Sequence, residues 1–364
     1  MSVENILEAL STVQEPDLGK DLVTLNMVSD LWSEGNQVSF TVTLTTPACP
    51  LKDRIKNDCI RAIHATNPEA IIQVNFTSRI NTNREDTAAI LPNVKNIIAV
   101  VSGKGGVGKS TVASNFALSL AADGARVGLM DADIYGPSMP IMFGLRGQRP
   151  IMKNVNGKGM ILPLEKYGIR IMSIGLLIDE KDAVVWRGPM VSSAIKQFVS
   201  EVFWDELDYL VVDMPPGTGD IHLTLMQSVP VTGVIVVSTP QDVALADAKK
   251  AIAMFAQAQL KAPIIGLVEN MSYFIPEESP QHKYYIFGKE GGKKLAEEYD
   301  IPFLGQIPLI QRIREGGDEG KPVVLGNDEA ARKAFSEFAG NAARSIAMIN
   351  ANISTQRRAE VVQG

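Results

Sequence analysis

The residues Gly103-Lys104-Gly105-Gly106-Val107-Gly108-Lys109-Ser110 form the most informative stretch of this 364-residue chain. They fit the pattern G-x-x-x-x-G-K-[ST], with the apolar, strand-like run Ile97 to Val101 before them and a helical pattern from Ser110 after them. Glycines allow successive backbone N–H groups to point at a phosphate, and the start of a helix adds partial positive charge. The stretch therefore predicts a triphosphate-binding loop between a strand and a helix.

The side chains of this loop have distinct expected roles. We expect Lys109 to neutralise the outer phosphates of ATP and Ser110 to bind Mg²⁺, and we expect the whole loop and Thr111 to contact the nucleotide. A rival interpretation exists, because the glycines at positions 103, 105 and 108 also spell the dinucleotide fingerprint G-x-G-x-x-G, for which Asp131 could bind the ribose. That site has no use for Lys109 and Ser110, so the sequence favours a phosphate-loop ATPase.

Acidic residues follow two further apolar strands. The strand Leu210 to Val212 ends in Asp213, where a phosphate-loop ATPase holds Mg²⁺ through water. Asp131 and Asp133 follow the strand Val127 to Met130, and ligands of open α/β sheets bind at the carboxyl ends of strands. One of these two carboxylates can order the magnesium shell and the other the attacking water. Helix capping is the alternative role for each of these two residues.

The apolar runs after residue 96 predict the fold of a large domain. They are rich in β-branched residues, alternate with helical patterns, and lack an alternation of apolar and polar residues, which is typical of strands buried on both faces. The predicted strands are Ile97 to Val101, Val127 to Met130, Ile169 to Ile174, Tyr209 to Val212, Val234 to Val237 and Ile264 to Val268. The sequence therefore predicts an α/β domain with a doubly wound, mostly parallel sheet, as in P-loop NTPases.

A small α+β domain is predicted ahead of it. Its expected elements are a helix around Asn5 to Val13, strands at Leu22 to Val28 and Val38 to Leu44, an amphipathic helix beginning at Pro50, and a strand at Ile71 to Phe76. The polar segment that follows looks like a linker. We therefore predict domains at residues 1–80 and 96–350, a linker at 81–95 and a tail at 351–364.

Composition and charge argue against several classes of protein. The net charge of −6, from 35 basic and 41 acidic residues, offers no basic footprint for nucleic acid or for an anionic membrane. No stretch reaches about 18 uninterrupted apolar residues, and the first residues lack the pattern of a secretion signal. Two cysteines do not make a disulfide framework. We expect a cytoplasmic protein that binds neither nucleic acid nor membrane.

Several strings resemble one family of ATPases. Lys104 has no role in a generic phosphate loop, and its position resembles that of a lysine in the deviant Walker A ATPases of the MinD and ParA class. The strings that resemble the Mrp/ApbC iron–sulfur cluster carriers are Trp186-Arg187-Gly188-Pro189-Met190, Asp213-Met214-Pro215-Pro216-Gly217-Thr218-Gly219-Asp220, Ser238-Thr239-Pro240-Gln241-Asp242 and Asn270-Met271-Ser272-Tyr273-Phe274. Residues 1–80 resemble the iron–sulfur assembly domain often fused ahead of these carriers.

This resemblance implies a function and several residue roles. It implies an ATP-hydrolysing homodimer that receives clusters from scaffold proteins and delivers them to apoprotein clients, with ATP, Mg²⁺ and a [4Fe–4S] cluster as its ligands. The lysine at the second loop position would reach the partner subunit's nucleotide. The implied catalytic residues are Lys104, Lys109 and Asp133, with Asp133 as the carboxylate that positions the attacking water, which leaves the magnesium shell to Asp131. The further implied roles are a Walker B acid at Asp213, a second switch at Gly217 and Asp220, and an adenine contact at Asn270.

One departure from the family concerns the cluster. The resemblance implies a Cys-x-x-Cys pair between Phe274 and Phe287, but this interval contains no cysteine. Thiolates are the usual cluster ligands, so Cys49 and Cys59 are the remaining candidates. Cys49 precedes the helix expected from Pro50, and a helix start lowers the pKa of a thiol, so Cys49 is the candidate ligand, with a buried structural role as the alternative. Cys59 lies on the apolar helix face and is assigned to the core.

Three functions are compatible with these features. The first is an ATP-dependent cluster carrier or assembly factor with slow basal hydrolysis. The second is a spatial organiser of the MinD or ParA type, but that class usually carries a basic or amphipathic terminal helix, whereas the end of this chain has only Arg357 and Arg358 as a basic pair. The third is an ATPase scaffold without a cluster, which iron content after anaerobic purification would distinguish from the first.

Overall fold

The computed structural model of the chain describes residues 2–82, 90–155, 157–178, 188–257, 260, 262–276, 278–279 and 281–363. The chain forms two compact units, one made of residues 1–83 and 343–364 and the other of residues 84–342. Residues 83–89 of the predicted linker lie outside the described residues, as do Trp186 and Arg187. The domain boundaries at 1–80 and 96–350 stay predictions.

The first unit contains a small sheet covered by helices. Its elements are the helices α1 (Val3–Leu10) and α2 (Lys52–Thr66) and the strands β1 (Gln14–Glu15), β2 (Lys20–Asp21), β3 (Val28–Glu34), β4 (Gln37–Leu44) and β5 (Ile71–Ser78). β4 lies at the centre of a three-stranded sheet, antiparallel to β3 and parallel to β5. Alternate residues of β4, such as Phe40 and Val42, are buried in one core with apolar residues of both helices. The predicted α+β character of this part is confirmed.

One strand of this unit lies elsewhere than predicted. We expected a strand at Leu22 to Val28, but the strand is Val28–Glu34, and turns precede it. In this segment the Asp21 side chain accepts a hydrogen bond from the backbone N–H of Thr24, and Asn26 has a φ of +52°. Local bonding between side chain and backbone, together with a left-handed residue, therefore overrides the β-like composition.

The second unit is built around a large sheet. Its strands are β6 (Val94–Val101), β7 (Val127–Asp131), β8 (Ile151–Val155), β9 (Lys158–Leu162), β10 (Leu164–Lys166), β11 (Ile169–Ser173), β12 (Leu207–Asp213), β13 (Gly233–Ser238), β14 (Ile264–Glu269) and β15 (Phe303–Gln306). Its helices are α3 (Lys109–Ala122), α4 (Met139–Met142), α5 (Gly188–Glu201), α6 (Asp220–Ser228), α7 (Asp242–Phe255), α8 (Gly291–Glu298), α9 (Gln311–Asp318) and the start of α10 (Glu329–Gln363).

The strand order of the large sheet brings the functional loops together. The order is β10-β11-β7-β12-β6-β13-β14-β15, and all neighbours are parallel except β10 and β11. β6, β12 and β13 are buried along almost their whole length, which explains the apolar runs Ile97 to Val101, Tyr209 to Val212 and Val234 to Val237 within them. At the carboxyl edge, Asp213 of β12 pairs with Asp131 of β7 on one side and with Val100 of β6 on the other. The predicted doubly wound, mostly parallel sheet is confirmed.

The strands β8, β9, β10 and β15 and the helical course of residues 351–363 were not predicted from the sequence. β8 and β9 form an antiparallel hairpin, in which Ile151 and Met152 are exposed. The residues at 351–363, expected as a tail, continue the helix α10 to Gln363. Their sequence is rich in residues with good helix propensity, such as alanine, arginine, glutamine and glutamate, which agrees with a continued helix.

Candidate functional site

The phosphate loop has the predicted setting between a strand and a helix. It follows β6 and leads directly into α3, which begins at Lys109. Gly106 and Gly108 have φ values of +84° and +81°, in the left-handed region that L-residues with side chains rarely adopt. These two glycines are therefore required by the path of the backbone.

The loop is also held by close contacts from neighbouring elements. A Cβ atom on Gly103 would lie 2.2 Å from the backbone carbonyl of Asp247 in α7, so this position has no room for a side chain. Asn270 donates a hydrogen bond from Nδ2 to the carbonyl of Val107 at 2.8 Å, and a Cβ atom on Gly108 would lie 2.2 Å from the same Nδ2. Asn270 thus braces the loop, a contact that the sequence did not reveal.

Lys109 lies in a buried cluster of carboxylates. Its Nζ atom lies 2.5 Å from Oδ1 of Asp213, 3.7 Å from Oδ2 of Asp133 and 3.3 Å from Oγ of Ser110. Lys109 is 6% exposed and Asp213 is fully buried, so this ion pair is shielded from water. The structure brings together the predicted phosphate-binding lysine, the predicted Walker B acid and the predicted water-ordering acid.

The donor set around Lys109 fits a magnesium ion. The second carboxylate oxygen of Asp213, Oδ2, is buried and has no hydrogen-bond partner among the described residues. Together with the hydroxyl of Ser110 it offers the oxygen ligands that Mg²⁺ prefers, and Mg²⁺ commonly uses one or two protein ligands beside phosphate and water. No group of three or more histidine, cysteine, aspartate and glutamate residues that could hold a metal ion occurs within the described part of the chain.

The carboxylate of Asp131 accepts hydrogen bonds from its own chain. Its Oδ1 accepts a hydrogen bond from the backbone N–H of Asp133, and its Oδ2 accepts from the backbone N–H groups of Ser138 and Met139 and from the hydroxyl of Ser173. Burial raises the pKa of Asp131, and the charge of Asp213 raises it further. These contacts fix the segment 131–139 to the sheet.

Asp133 lies at the edge of a cavity of about 550 Å³ beside the phosphate loop. Burial raises the pKa of Asp133, while the positive charge of Lys109 opposes this rise. The cavity is also lined by Tyr135, Gly136, Pro215, Pro216, Gly219, Ile221 and His222. A water molecule in this cavity would have direct access to the Asp133 carboxylate.

The segment predicted as a switch runs between β12 and α6. Gly217 has a φ of +94°, and its N–H donates to the carbonyl of Ser102 at 2.9 Å, which ties the segment to the phosphate loop. Asp220 is the first residue of α6, and its side chain lies outside the described residues. Lys104 is half-buried, and its carbonyl accepts a hydrogen bond from the Ser102 hydroxyl at 2.9 Å.

A second cavity, of about 390 Å³, borders the loop at Gly108. Thr111 and Asn270, both predicted nucleotide contacts, line it together with Gly108. Its apolar wall was not predicted from the sequence and consists of Pro308, Leu309, Ile310 and Ile313. A planar base could lie between this wall and Asn270, since ligand pockets combine apolar walls with a few polar groups.

Cys49, the predicted cluster ligand, lies in the first unit, and one part of its rationale is wrong. We expected a helix start at Pro50 to lower the pKa of the thiol, but α2 begins at Lys52. Burial raises the pKa of Cys49, and the charges of Asp17 and Glu15 add to this, outweighing the hydrogen bond from Leu51. Cys59, predicted as a core residue, is confirmed as fully buried, and burial raises its pKa to about 12.

The interval between Phe274 and Phe287, which contains no cysteine, includes an antiparallel backbone bridge. Phe274 and Tyr284 exchange two backbone hydrogen bonds of 2.8 Å, and the ammonium of Lys283 lies 4.1 Å from the ring centre of Tyr273. His282 and Ser279 are joined by a side-chain hydrogen bond of 2.7 Å. Aromatic and basic side chains thus occupy the place that the family resemblance assigns to a cysteine pair.

Known families and proteins match both parts of the chain. A family described as NUBPL iron-transfer P-loop NTPase matches residues 93–343, and a family described as iron–sulfur cluster assembly protein matches residues 3–76. A protein from Synechocystis sp. named iron–sulfur cluster carrier protein is 46% identical over 351 residues, which cover 96% of this chain and 99% of that protein. A protein of the same name from Escherichia coli is 45% identical, with 88% of this chain and 86% of that protein covered.

Two solved structures match about two thirds of the chain. A nucleotide-binding protein of Archaeoglobus fulgidus, in complex with ADP, is 38% identical with a TM-score of 0.57, and the match covers 65% of this chain and 91% of that one. The cell division ATPase MinD of Pyrococcus furiosus is 24% identical with a TM-score of 0.50, covering 68% of this chain and 97% of that one, and this similarity concerns the fold alone. Among the described residues, none of the helices combines the length and the apolar character that a membrane span needs.

Proposed function

The chain belongs to the family of iron–sulfur cluster carrier proteins with a P-loop NTPase domain, and on that basis we propose that it binds and hydrolyses ATP and delivers iron–sulfur clusters to apoproteins. Family membership confirms the resemblance seen in the sequence and favours the carrier over the spatial organiser. In this proposal the protein works in the cytoplasm as a nucleotide-gated homodimer, receives clusters from scaffold proteins and has neither nucleic acid nor membrane as a partner.

The buried ion pair between Lys109 and Asp213 is the observation that carries the ATPase proposal. The ammonium of Lys109 lies 2.5 Å from the buried carboxylate of Asp213, and Lys109 belongs to a loop whose backbone suits a phosphate. A triphosphate offers Lys109 several charged acceptors, so binding would draw the ammonium to the outer phosphates. Asp213 would then be released for its second role.

Ser110 and Asp213 are the residues that would hold Mg²⁺. When bound, Mg²⁺ supplies positive charge that neutralises the phosphate oxygens. Asp131, predicted in the same shell, already accepts hydrogen bonds from three backbone N–H groups and from Ser173. We therefore assign to Asp131 the task of holding the segment that bears Asp133, rather than direct contact with the ion.

Asp133 is the proposed group that orders the attacking water. Its carboxylate lies 3.7 Å from the Lys109 ammonium and borders a cavity large enough for water. The raised pKa of Asp133 makes it a better proton acceptor than an ordinary aspartate, because a general base is most effective when its pKa approaches the working pH. Asp133→Asn should keep ATP binding and lose hydrolysis.

Lys104 is proposed to act on the nucleotide of the partner subunit. It occupies the second position of the loop, and the hydrogen bond from Ser102 to its carbonyl fixes its backbone. A ligand contacted by both subunits would stabilise the closed dimer, and hydrolysis would remove that contact. This cycle would couple ATP turnover to loading and release of the cluster.

The cluster, as cargo, has an unusual set of available ligands in this chain. The cysteine pair of the family is absent, so we propose that Cys49 binds the cluster, either from two subunits or together with a partner protein. Burial raises the pKa of Cys49, so its thiol is protonated near neutral pH. Iron binds the thiolate, so binding releases this proton, and cluster uptake should increase with pH. A cluster-free ATPase scaffold is the competing function, and the absent cysteine pair is the observation that favours it.

Two measurements test these proposals. ATP hydrolysis and ATP binding are measured for the wild type and for Lys109→Ala and Lys104→Ala, and we expect Lys109→Ala to lose binding and Lys104→Ala to lose hydrolysis by more than about tenfold. Unchanged hydrolysis in Lys109→Ala rejects the ATPase mechanism.

Iron and sulfide are counted after anaerobic reconstitution of the wild type, Cys49→Ser and the control Cys59→Ser. Equal iron in all three removes Cys49 from the site, and no iron in any of them supports the scaffold.

A further inference from the structure

His222 is a buried histidine close to the phosphate loop that none of the roles above uses. It lies in the first turn of α6 and is 1% exposed. One edge of its ring meets Phe255 of α7, with the ring centres 6.3 Å apart. His222 also borders the cavity that contains Asp133.

The imidazole makes one defined hydrogen bond. Its Nε2 lies 3.0 Å from the backbone carbonyl of Pro215, and because a carbonyl can only accept, Nε2 must carry the proton. Burial lowers the pKa of His222, which agrees with a neutral ring. The other ring nitrogen, Nδ1, is then an acceptor, and it is buried without a hydrogen-bond partner among the described residues.

Packing alone does not explain a histidine at this position. An apolar side chain of similar size could pack against Phe255 without leaving a buried nitrogen unpaired, which is unfavourable and rare in folded proteins. What the histidine adds is the bond to Pro215, two residues after Asp213. The function of His222 therefore concerns the segment that this bond holds.

The segment Pro215 to Gly219 is held by three hydrogen bonds. On one side, the N–H of Gly217 donates to Ser102, the residue before the phosphate loop. On the other side, the ring of His222 holds the Pro215 carbonyl, and the backbone N–H of His222 donates to the carbonyl of Gly219 at 3.0 Å. His222 thus fixes both ends of the segment to α6, while Gly217 connects its middle to the loop.

We propose that His222 is a positioning residue for ATP hydrolysis, which holds the Pro215–Gly219 segment in register with the phosphate loop and Asp133 through its Nε2–H bond to Pro215. This inference rests on the proposed ATPase function. The segment follows the strand that ends in Asp213, so a shift of Pro215 would move the wall of the cavity in which the attacking water must be ordered.

The test compares two substitutions of nearly equal size. His222→Gln keeps a nitrogen donor near the position of Nε2, whereas His222→Met has a similar shape and no donor. We expect kcat for ATP hydrolysis to fall by about tenfold in His222→Met with KM changed less than about twofold, and His222→Gln to restore most of the loss. His64→Met is the matched control, because Nε2 of His64 also lies 3.0 Å from a backbone carbonyl, that of Ala70, in the first unit.

The outcomes separate this inference from the proposed function. Equal kcat values in His222→Gln and His222→Met, with hydrolysis that still depends on Lys109, overturn the role of His222 and leave the ATPase standing. A loss of the same size in His64→Met shows a general effect of removing a histidine that bonds a backbone carbonyl, and also overturns it. Hydrolysis that does not depend on Lys109 rejects the ATPase, and the inference with it. The thermal midpoint of each variant is measured without nucleotide, so that a loss of folded protein is not mistaken for a loss of catalysis. Values of kcat are compared between variants that are at least about 95% folded at about 25 °C.

Discussion

At the scale of single residues, the cluster around Lys109 combines a cation with carboxyl groups that burial would otherwise neutralise. Burial raises the pKa of Asp131 and of Asp133, and the charge of Lys109 lowers both. Asp213 lies within 2.5 Å of the same ammonium and is fully buried. Lys109 therefore stabilises the folded chain as well as preparing the site for phosphate, and the two contributions can be measured separately.

We predict that Lys109→Met destabilises the nucleotide-free protein, and that the loss grows with pH. Removing one partner of a buried ion pair costs about 3 kcal/mol. Without the lysine, the pKa values of Asp131 and Asp133 rise further in the folded state. In this pH range the folded chain then keeps protons that the same groups of the unfolded chain have released. The free energy of unfolding should therefore fall more steeply for the variant than for the wild type between about pH 4 and pH 7. Urea unfolding at several pH values measures this difference.

The matched variant is Lys104→Met, which removes a lysine of the same loop from outside the carboxylate cluster. Its unfolding free energy should follow that of the wild type at every pH, although its hydrolysis should fail. If Lys109→Met and Lys104→Met had the same stability across this range, the pair between Lys109 and Asp213 would contribute nothing to the fold.

The reactivity of Cys49 gives a second prediction at this scale. Because burial and two nearby carboxylates raise its pKa, only a small fraction of the thiol is ionised at neutral pH, and the thiolate is the reactive form. In a Cys59→Ser background, alkylation by iodoacetamide near pH 7.5 should be at least about tenfold slower than that of free cysteine, and should accelerate as the pH rises. Mass spectrometry of the modified chain gives the rate. A rate equal to that of free cysteine would mean that the thiol is not shielded.

At the scale of elements, the contact between the phosphate loop and α7 depends on a missing side chain. A Cβ atom on Gly103 would come within 2.2 Å of the Asp247 backbone, which cannot move without shifting the helix. We predict that Gly103→Ala destabilises the nucleotide-free protein by about 2 kcal/mol. This corresponds to a decrease of about 5 °C in the midpoint of thermal unfolding.

Gly105→Ala is the control for this prediction, because it adds the same methyl group to the same loop. There, the nearest atom to the new Cβ is in the Pro216 side chain at 4.0 Å, an ordinary contact. Its midpoint should stay within about 1 °C of the wild type. Equal midpoints for the two variants would show that α7 yields to the added methyl group.

Six of the eight strands described in the large sheet could be predicted, because each of the six is an apolar run with a single physical explanation. β6 and β12 are buried on both faces, so their sequences contain few polar residues, and the predicted bounds differ from the observed ones only at the ends. The hairpin of β8 and β9 gives no such signal, since Ile151 and Met152 are exposed and its residues follow no burial pattern. Prediction failed where the strand is not determined by burial.

In the functional site, too, some features could be predicted from the sequence and others could not. Glycines and a lysine at fixed spacing identify the phosphate loop, because its function depends on backbone geometry within eight residues. The bond between Asn270 and Val107 joins residues 163 positions apart, and the apolar wall at Pro308 to Ile310 follows a strand that we did not predict. Such contacts depend on the order of strands in the sheet, which the sequence of any one element does not contain.

At the scale of the whole molecule, the two units have separate cores. The core of the first contains residues of α1, α2 and β4, and the large core of the second contains residues of β6, β12 and α7. The first unit also includes residues 343–364, and in it the Arg344 side chain donates to Asp17 at 2.6 Å. The residues that would contact ATP belong to the second unit. A ligand of that unit should therefore stabilise one core directly and the other only through coupling.

We predict that calorimetry resolves two unfolding transitions and that a non-hydrolysable ATP analogue with Mg²⁺ raises the midpoint of one of them. At about 100 times its dissociation constant, the analogue should add about 2.7 kcal/mol to the unfolding free energy of the unit that binds it. Phe40→Ala should lower the other transition, since Phe40 is fully buried in the core of the first unit. With Lys109→Ala the analogue should shift neither transition. If a single transition responded to both the analogue and Phe40→Ala, the two cores would unfold as one cooperative body.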